Sequence, residues 1–86
     1  MAATDDRAIA DAIFRLLRAR APTLTICPSE AARALAPAGD AWRALMPDVR
    51  RVAAGLARAG RLRVTRGGEP VDASDAGGPI RLGLPD

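Results

Sequence analysis

Residues 49–66 read VRRVAAGLARAGRLRVTR, and the spacing of the apolar residues changes within this stretch. Before Gly60 they recur every three or four residues, as on one face of a helix. After Gly60, Leu62 and Val64 alternate with polar residues, as in a half-buried strand. Glycine is common just past the end of a helix. The stretch therefore predicts a helix that ends at Gly60 and is followed directly by a strand.

This helix extends back towards Trp42, and Asp40 is predicted to cap it. Pro47 interrupts the pattern, so that either the helix bends there or a short turn at 41–46 precedes a new helix that begins at Pro47. The predicted apolar face consists of Trp42, Leu45, Met46, Val49, Val52, Ala53 and Leu56.

Two shorter helices are predicted upstream. The first runs from about Asp5 to Arg20, with Thr4 as its cap, and it stops before Pro22. Its apolar face consists of Ile9, Ile13, Leu16 and Leu17. The sequence TLTI at 23–26 predicts a brief strand.

The second helix is predicted over residues 28–36, with Pro28 at its first position. Cys27 and Glu30 then have the spacing of a capping box, with cysteine where serine or threonine is usual. A thiol at a helix N-terminus can be activated as a redox sensor. The structural interpretation is a small residue between strand and helix, and the absence of histidine and of a second cysteine favours it.

After the strand that follows Gly60, the sequence is polar from Gly67 to Gly78. In PIRLGL at 79–84 apolar and polar residues then alternate again. The two strands predict a hairpin with a long connection. The order of elements predicts an α+β winged helix: three helices with a helix-turn-helix, and a small antiparallel β-hairpin as the wing. We expect a single domain over residues 1–86, with a core at about 5–84.

The composition excludes several classes of function. With no histidine and one cysteine, the ordinary zinc sites and the usual general base are absent, so we expect no enzyme activity, no metal and no cofactor. The N-terminal segment is acidic and no apolar run is long enough to span a membrane, which predicts a cytoplasmic protein of bacterial type. No extra C-terminal helix is present for pairing, so we expect a monomer.

Positive charge is concentrated in one segment. Residues 1–42 sum to zero, residues 43–66 carry seven arginines against Asp48, and residues 67–86 carry one arginine against four acids. On the third helix the arginines occupy one sector beside the apolar face. Either the third helix is a recognition helix whose arginines contact DNA, or these arginines only keep the domain soluble. The candidate nucleic-acid-binding residues are Arg43, Arg50, Arg51, Arg58, Arg61 and Arg63.

The predicted wing argues against the usual mode of DNA binding. The sequence GGEPVDASDAGG carries three acids and no base, and phosphates would repel it. Asp72 and Arg81 are expected to pair with each other or with Arg50. The leading hypothesis is binding of double-stranded DNA through the third helix. The alternative is a protein–protein module that uses the acidic wing and the region of Trp42, without nucleic-acid binding.

Five motifs resemble a family of short bacterial proteins classed as a domain of unknown function: TICPSEAAR at 25–33, WRALM at 42–46, VRRVA at 49–53, VD at 71–72 and GPIRL at 78–82. The resemblance covers about residues 9–84 and implies a winged-helix-like fold with no established activity. The chain departs from the family at Gly77, where a basic residue is frequent, and at Arg66, where glutamine is frequent.

The resemblance also implies where a shared site would lie. Besides Arg43 and Arg50, the matching residues are Cys27, Ser29, Glu30, Arg33, Trp42, Asp72 and Arg81. A redox or ligand sensor centred on Cys27, Ser29 and Glu30 is a third hypothesis, and core packing is the structural interpretation of Trp42.

Overall fold

The computed structural model describes residues 5–21, 24–74 and 78–85. In this part of the chain three helices precede a small antiparallel sheet. The helices are α1 (Asp6–Arg18), α2 (Pro28–Leu35) and α3 (Trp42–Arg58). The strands are β1 (Arg63–Arg66), β2 (Glu69–Pro70) and β3 (Arg81–Gly83), in the order β2-β1-β3. This arrangement confirms the predicted α+β fold and is consistent with a winged helix.

The start of α1 is capped one residue later than predicted. The carboxylate of Asp5 accepts a hydrogen bond of 2.8 Å from the backbone N–H of Ala8, so Asp5 is the N-cap. The predicted cap, Thr4, lies outside the described residues, and its assignment as the cap was wrong. A carboxylate at this position both accepts the N–H and faces the positive end of the helix dipole.

The strand predicted at 23–26 is reduced to one bridge. Ile26 and Leu82 exchange two backbone hydrogen bonds of 2.8 Å, and Leu24 is exposed. Thr23 lies outside the described residues. The bridge covers part of the outer edge of β3, which would otherwise present unpaired backbone groups.

The third helix runs unbroken from Trp42 to Arg58 with Pro47 inside it, so the predicted split into a turn and a new helix at Pro47 was wrong. At this sixth helical position the proline cannot donate to the carbonyl of Arg43, and its ring crowds that carbonyl. Ala41 occupies the N-cap position and no side chain caps the helix, so the prediction that Asp40 is the cap was wrong. The Asp40 carboxylate instead lies 3.6 Å from Nε of Arg43.

The end of α3 confirms the role predicted for Gly60. Its φ is 75°, and its N–H bonds to the carbonyl of Ala57 while the N–H of Arg61 bonds to that of Leu56. These two bonds form a Schellman motif, which satisfies carbonyls that the helix leaves unpaired. The glycine thus turns the chain from α3 into β1.

The predicted antiparallel pairing of the two strands across a long connection is confirmed, since β1 pairs with β3, but the connection contains a further strand, β2, that was not predicted. Gly67 and Gly68 both have positive φ and form a two-residue turn between Arg66 and Glu69, as in a type I′ hairpin. The strand β2 returns along one edge of β1, and β3 pairs with the other edge. The wing is therefore a three-stranded sheet, and Pro70 lies on its edge strand, where a missing N–H is tolerated.

The core lies between the three helices and the inner face of the sheet. Leu62 and Val64 are buried, as their alternation predicted. The aromatic side chains of Phe14 and Trp42 are partly buried at the edge of this core. The largest fully buried side chains are Ile9, Ile13, Leu17, Ile26, Ile80, Leu82, Val49 and Pro28.

Gly55 lies exposed within α3, and a Cβ added there would meet no atom within 4 Å. Glycine costs a helix interior roughly 0.5–1 kcal/mol relative to alanine. We therefore expect Gly55→Ala to raise the free energy of unfolding by about that amount in urea denaturation. Gly67→Ala is the control and should destabilise the protein, because φ at Gly67 is 58°. An unchanged or lower stability of Gly55→Ala would contradict this expectation.

Candidate functional site

The exposed sector of α3 carries arginine side chains that point away from the core. Val49, Val52 and Ala53 face inward, whereas Arg51 and Arg58 are exposed on the opposite side. Arg43 is also exposed, in the first turn of the helix. We call this surface, defined by Arg43, Arg51 and Arg58, the α3 arginine face.

Arg50 does not belong to this face, because its guanidinium holds the wing. Its two terminal nitrogens donate to the carbonyl of Ala73 at 3.3 Å and to that of Gly78 at 3.0 Å. Both carbonyls belong to the segment between β2 and β3. Arg50 is therefore a structural link between α3 and the sheet, and we do not keep it among the proposed DNA contacts.

Arg51 is exposed but engaged by two carboxylates. Its guanidinium donates to both oxygens of Asp6, at 2.7 and 2.8 Å, and to Asp48 at 3.3 Å. The hydrogen bond from Arg51 lowers the pKa of Asp6, and the bond from Asp6 raises the pKa of Arg51. The contact ties the first turn of α1 to the middle of α3 in two parallel bonds.

Trp42 is the first residue of α3, and two guanidinium groups, one from α2 and one from α3, lie over its ring. The guanidinium carbon of Arg33 is 4.4 Å from the ring centroid, and that of Arg43 is 4.6 Å from it. The ring is half-buried and packs against the edge of the core rather than within it. The core interpretation of Trp42 is therefore only partly right, since the ring also positions two cations.

Asp72 forms a local turn with Ser74, whereas it was expected to pair with Arg81 or Arg50. Its carboxylate accepts from the backbone N–H of Ser74 at 2.9 Å and from its hydroxyl at 2.6 Å. These bonds, with a smaller contribution from the charge of Arg58, lower the pKa of Asp72. Arg81 instead donates to the hydroxyl and the carbonyl of Thr25, at 2.9 and 3.0 Å.

The two remaining candidate arginines lie elsewhere. The guanidinium carbon of Arg61 lies 5.1 Å from the centroid of the Phe14 ring, and both residues line a groove between α1 and α3. Arg63 is exposed on β1, on the face of the sheet opposite the buried Val64. The structure thus places the six predicted arginines on three surfaces and at one structural link.

Cys27 occupies the N-cap of α2, as predicted. The carboxylate of Glu30 accepts from the backbone N–H of Cys27 at 2.8 Å, and the hydroxyl of Ser29 donates to the sulfur at 3.1 Å. Glu30 also pairs with Arg20, whose other terminal nitrogen donates to the carbonyl of Thr25 at 3.2 Å. These contacts join the end of α1 to the start of α2.

The residues implied by the resemblance do not form one site. Cys27, Ser29 and Glu30 lie together, and Arg81 reaches them through Thr25. Arg33 and Trp42 form a second cluster and Asp72 belongs to the wing. Sequence reasoning missed Asp6 and Arg20, whose partners are 45 and 10 residues away in the chain. No local spacing signals such contacts.

Two negative findings apply to the described ranges 5–21, 24–74 and 78–85. No group of three or more cysteine, aspartate or glutamate side chains is placed to hold a metal ion. No helix there combines the length and the apolar character needed to cross a membrane.

The link through Arg50 generates a prediction for stability. Arg50→Gln removes hydrogen bonds from a charged donor to two carbonyls, and we expect the free energy of unfolding to fall by about 1–3 kcal/mol. Arg15→Gln, an exposed change on α1 that removes the same charge, should stay within about 0.5 kcal/mol of the wild type. Equal stabilities of the two variants in urea denaturation would show that Arg50 does not hold the wing.

The capping of α2 generates a second prediction. Serine is the usual N-cap residue, so Cys27→Ser should leave the free energy of unfolding unchanged or raise it by up to about 1 kcal/mol. Glu30→Ala should lower it by about 0.5–2 kcal/mol, because the N–H of Cys27 loses its acceptor. Urea denaturation of both variants checks this. A loss of more than about 1 kcal/mol in Cys27→Ser would assign the thiol a packing role that serine cannot fill.

Comparison with known proteins identifies a family and leaves its activity open. A search of curated proteins finds no significant match. A family model described as "Protein of unknown function (DUF3253)" matches residues 6–85, a span that includes all the helices and strands described above. The resemblance drawn from the motifs is thereby confirmed, and the chain belongs to the DUF3253 family.

Proposed function

We propose that this domain binds double-stranded DNA through the α3 arginine face. The observation that carries the proposal is the position of that face. The helix α3 is the second helix of the helix-turn-helix, which such folds place in the major groove, and Arg43, Arg51 and Arg58 project from its exposed side. Arginine binds phosphate oxygens and guanine edges in two parallel hydrogen bonds.

The neighbouring carboxylates weaken this interaction without blocking it. Asp48 and Asp6 pair with Arg51, and all three side chains are more than half exposed. Exposed ion pairs of this kind contribute about 0–1 kcal/mol, so a phosphate can replace the carboxylate at small cost. We therefore expect modest affinity with a strong dependence on salt, because each neutralised phosphate releases counterions.

The wing has little part in this proposal. Glu69 and Asp72 are exposed on it, and both would be repelled by phosphates. Arg66, at the hairpin turn, donates to the carbonyls of Gly78 and Pro79. The domain therefore contacts DNA through α3, with the sheet serving mainly to hold that helix in place.

A groove between α1 and α3 favours a protein-binding module, although it lies away from the acidic wing and from Trp42, the surfaces first predicted for such a module. Its volume is about 510 Å³, and its lining includes Phe14, Gly55 and Leu56. Charged side chains of both signs also line it, including Arg7 and Asp11. An apolar patch with a polar rim is a feature of protein interaction sites. This candidate predicts no binding to a duplex, even at low salt.

DNA binding is tested by fluorescence anisotropy of a labelled mixed-sequence duplex at several salt concentrations. We expect binding that weakens steeply with salt. The variant Arg51→Gln/Arg58→Gln should lose at least about tenfold in affinity at roughly 50 mM salt, and its salt slope should fall by about two. Thermal melts establish that each variant is folded.

The matched control is Arg15→Gln/Arg18→Gln, which removes the same charge from the exposed side of α1. It should bind within about threefold of the wild type, since only the general attraction is reduced. An equal loss of duplex affinity in both double variants would show that binding depends on net charge and not on the position of the arginines on α3. No binding by the wild type at low salt would contradict the proposed function.

A further inference from the structure

Two arginines converge on one aromatic ring at the junction of α2 and α3. The guanidinium carbons of Arg33 and Arg43 lie 4.4 and 4.6 Å from the centroid of the Trp42 ring. They can be no further apart than these two distances combined, about 9 Å. Two exposed positive charges at such a separation repel each other only weakly, and an anion beside both of them would be attracted to each.

The neighbourhood offers these cations little negative charge. No carboxylate of the described residues forms an ion pair with Arg33. Arg43 lies 3.6 Å from Asp40, and their side chains are 67% and 85% exposed. Such an open pair is weak and can exchange its carboxylate for another anion.

Stacking prepares both guanidinium groups for a ligand. Trp42 is fixed by its contact with the core, and each guanidinium is restrained over the ring by a cation–π contact. A restrained side chain loses less conformational entropy when it binds. The donors of a guanidinium match the oxygens of a phosphate in pairs, and the charge is permanent.

We propose that Arg33, Trp42 and Arg43 form a binding site for a phosphate group of the DNA backbone. The proposal rests on the proposed function and adds Arg33, on α2, to the contacts made by α3. Trp42 is a positioning residue, since it acts through the two arginines.

The position of the site favours a nucleic-acid phosphate over a small free one. Arg43 lies within about 80° of Arg51 around α3, at 100° per residue, so that both can face one duplex. In helix-turn-helix proteins the N-terminal residues of the recognition helix lie closest to the groove, while the preceding helix crosses the backbone. Arg33 is on that preceding helix and Arg43 is in the first turn of the next.

The chain provides its own reporter for this site. Trp42 is the sole tryptophan and the sequence contains no tyrosine, so fluorescence excited near 295 nm comes from Trp42 alone. We expect its emission to change as the mixed-sequence duplex is added, with the same midpoint as the anisotropy of the labelled duplex. Binding elsewhere on the surface would change the anisotropy and leave the emission unaltered.

Three variants distinguish a contribution of this site to duplex affinity from a general effect of net charge. Arg33→Gln should weaken duplex binding roughly threefold to tenfold and reduce the salt slope by about one, whereas Arg18→Gln, which removes the same charge from α1, should have a smaller effect on both. Trp42→Phe keeps the net charge and an aromatic ring but weakens the cation–π contacts. It should still lower the affinity in the anisotropy assay, which a loss of charge alone cannot explain.

Different results would overturn the two proposals. Duplex binding with unchanged Trp42 emission, and with wild-type affinity in Arg33→Gln, would refute this site while DNA binding stands. No duplex binding at low salt would refute the proposed function and the site with it. Inorganic phosphate is added at the concentration at which the duplex saturates the change in Trp42 emission. If it changed the emission to the same extent, the site would belong to a small phosphate ligand, and its assignment to DNA would be wrong.

Discussion

The arrangement of this domain depends on the guanidinium of Arg50. It projects from α3 and donates to the carbonyls of Ala73 and Gly78, which lie in the chain segment between β2 and β3. The sheet is small and β2 has only two residues, so backbone pairing alone gives the wing limited stability. The contact fixes the sheet against α3 and leaves the opposite side of that helix open to solvent.

The same contact reduces the number of arginines in residues 43–66 that can bind phosphates. An arginine that satisfies backbone carbonyls is not available to phosphates, and neither its charge nor its place on a helical wheel reveals this. Arg51 is divided between Asp6 and Asp48, while Arg33 and Arg43 are restrained on Trp42. The proposed interface is therefore smaller than the arginine content suggests, and it extends from α3 to α2.

Patterns local in sequence were predicted well. The three helices, the glycine that ends α3 and the capping box of Cys27 and Glu30 all depend on residues close in the chain. The strand β2 was missed because two residues next to a Gly-Gly turn have no period to detect. The cap of α1 was misplaced by one residue, which is within the range over which helix ends vary.

The candidate site was less predictable, because its contacts join distant parts of the chain. Trp42 and Arg33 were singled out by motif, yet nothing in their spacing showed that a guanidinium would lie over the ring. The pairing of Arg51 with Asp6 spans 45 residues. Tertiary packing alone brings these groups together, so the sequence supplied the candidates and the structure selected among them.

The central claim is that α3, aided by the end of α2, is the DNA-binding surface. It is tested most directly by ¹H–¹⁵N NMR spectra of the labelled protein with and without a mixed-sequence duplex at low salt. The account predicts that the largest shift changes occur in the backbone of residues 33–43, at the Trp42 indole N–H, and around Arg51 and Arg58. Changes concentrated on the outer face of the sheet, around Arg63 and Arg81, would contradict it.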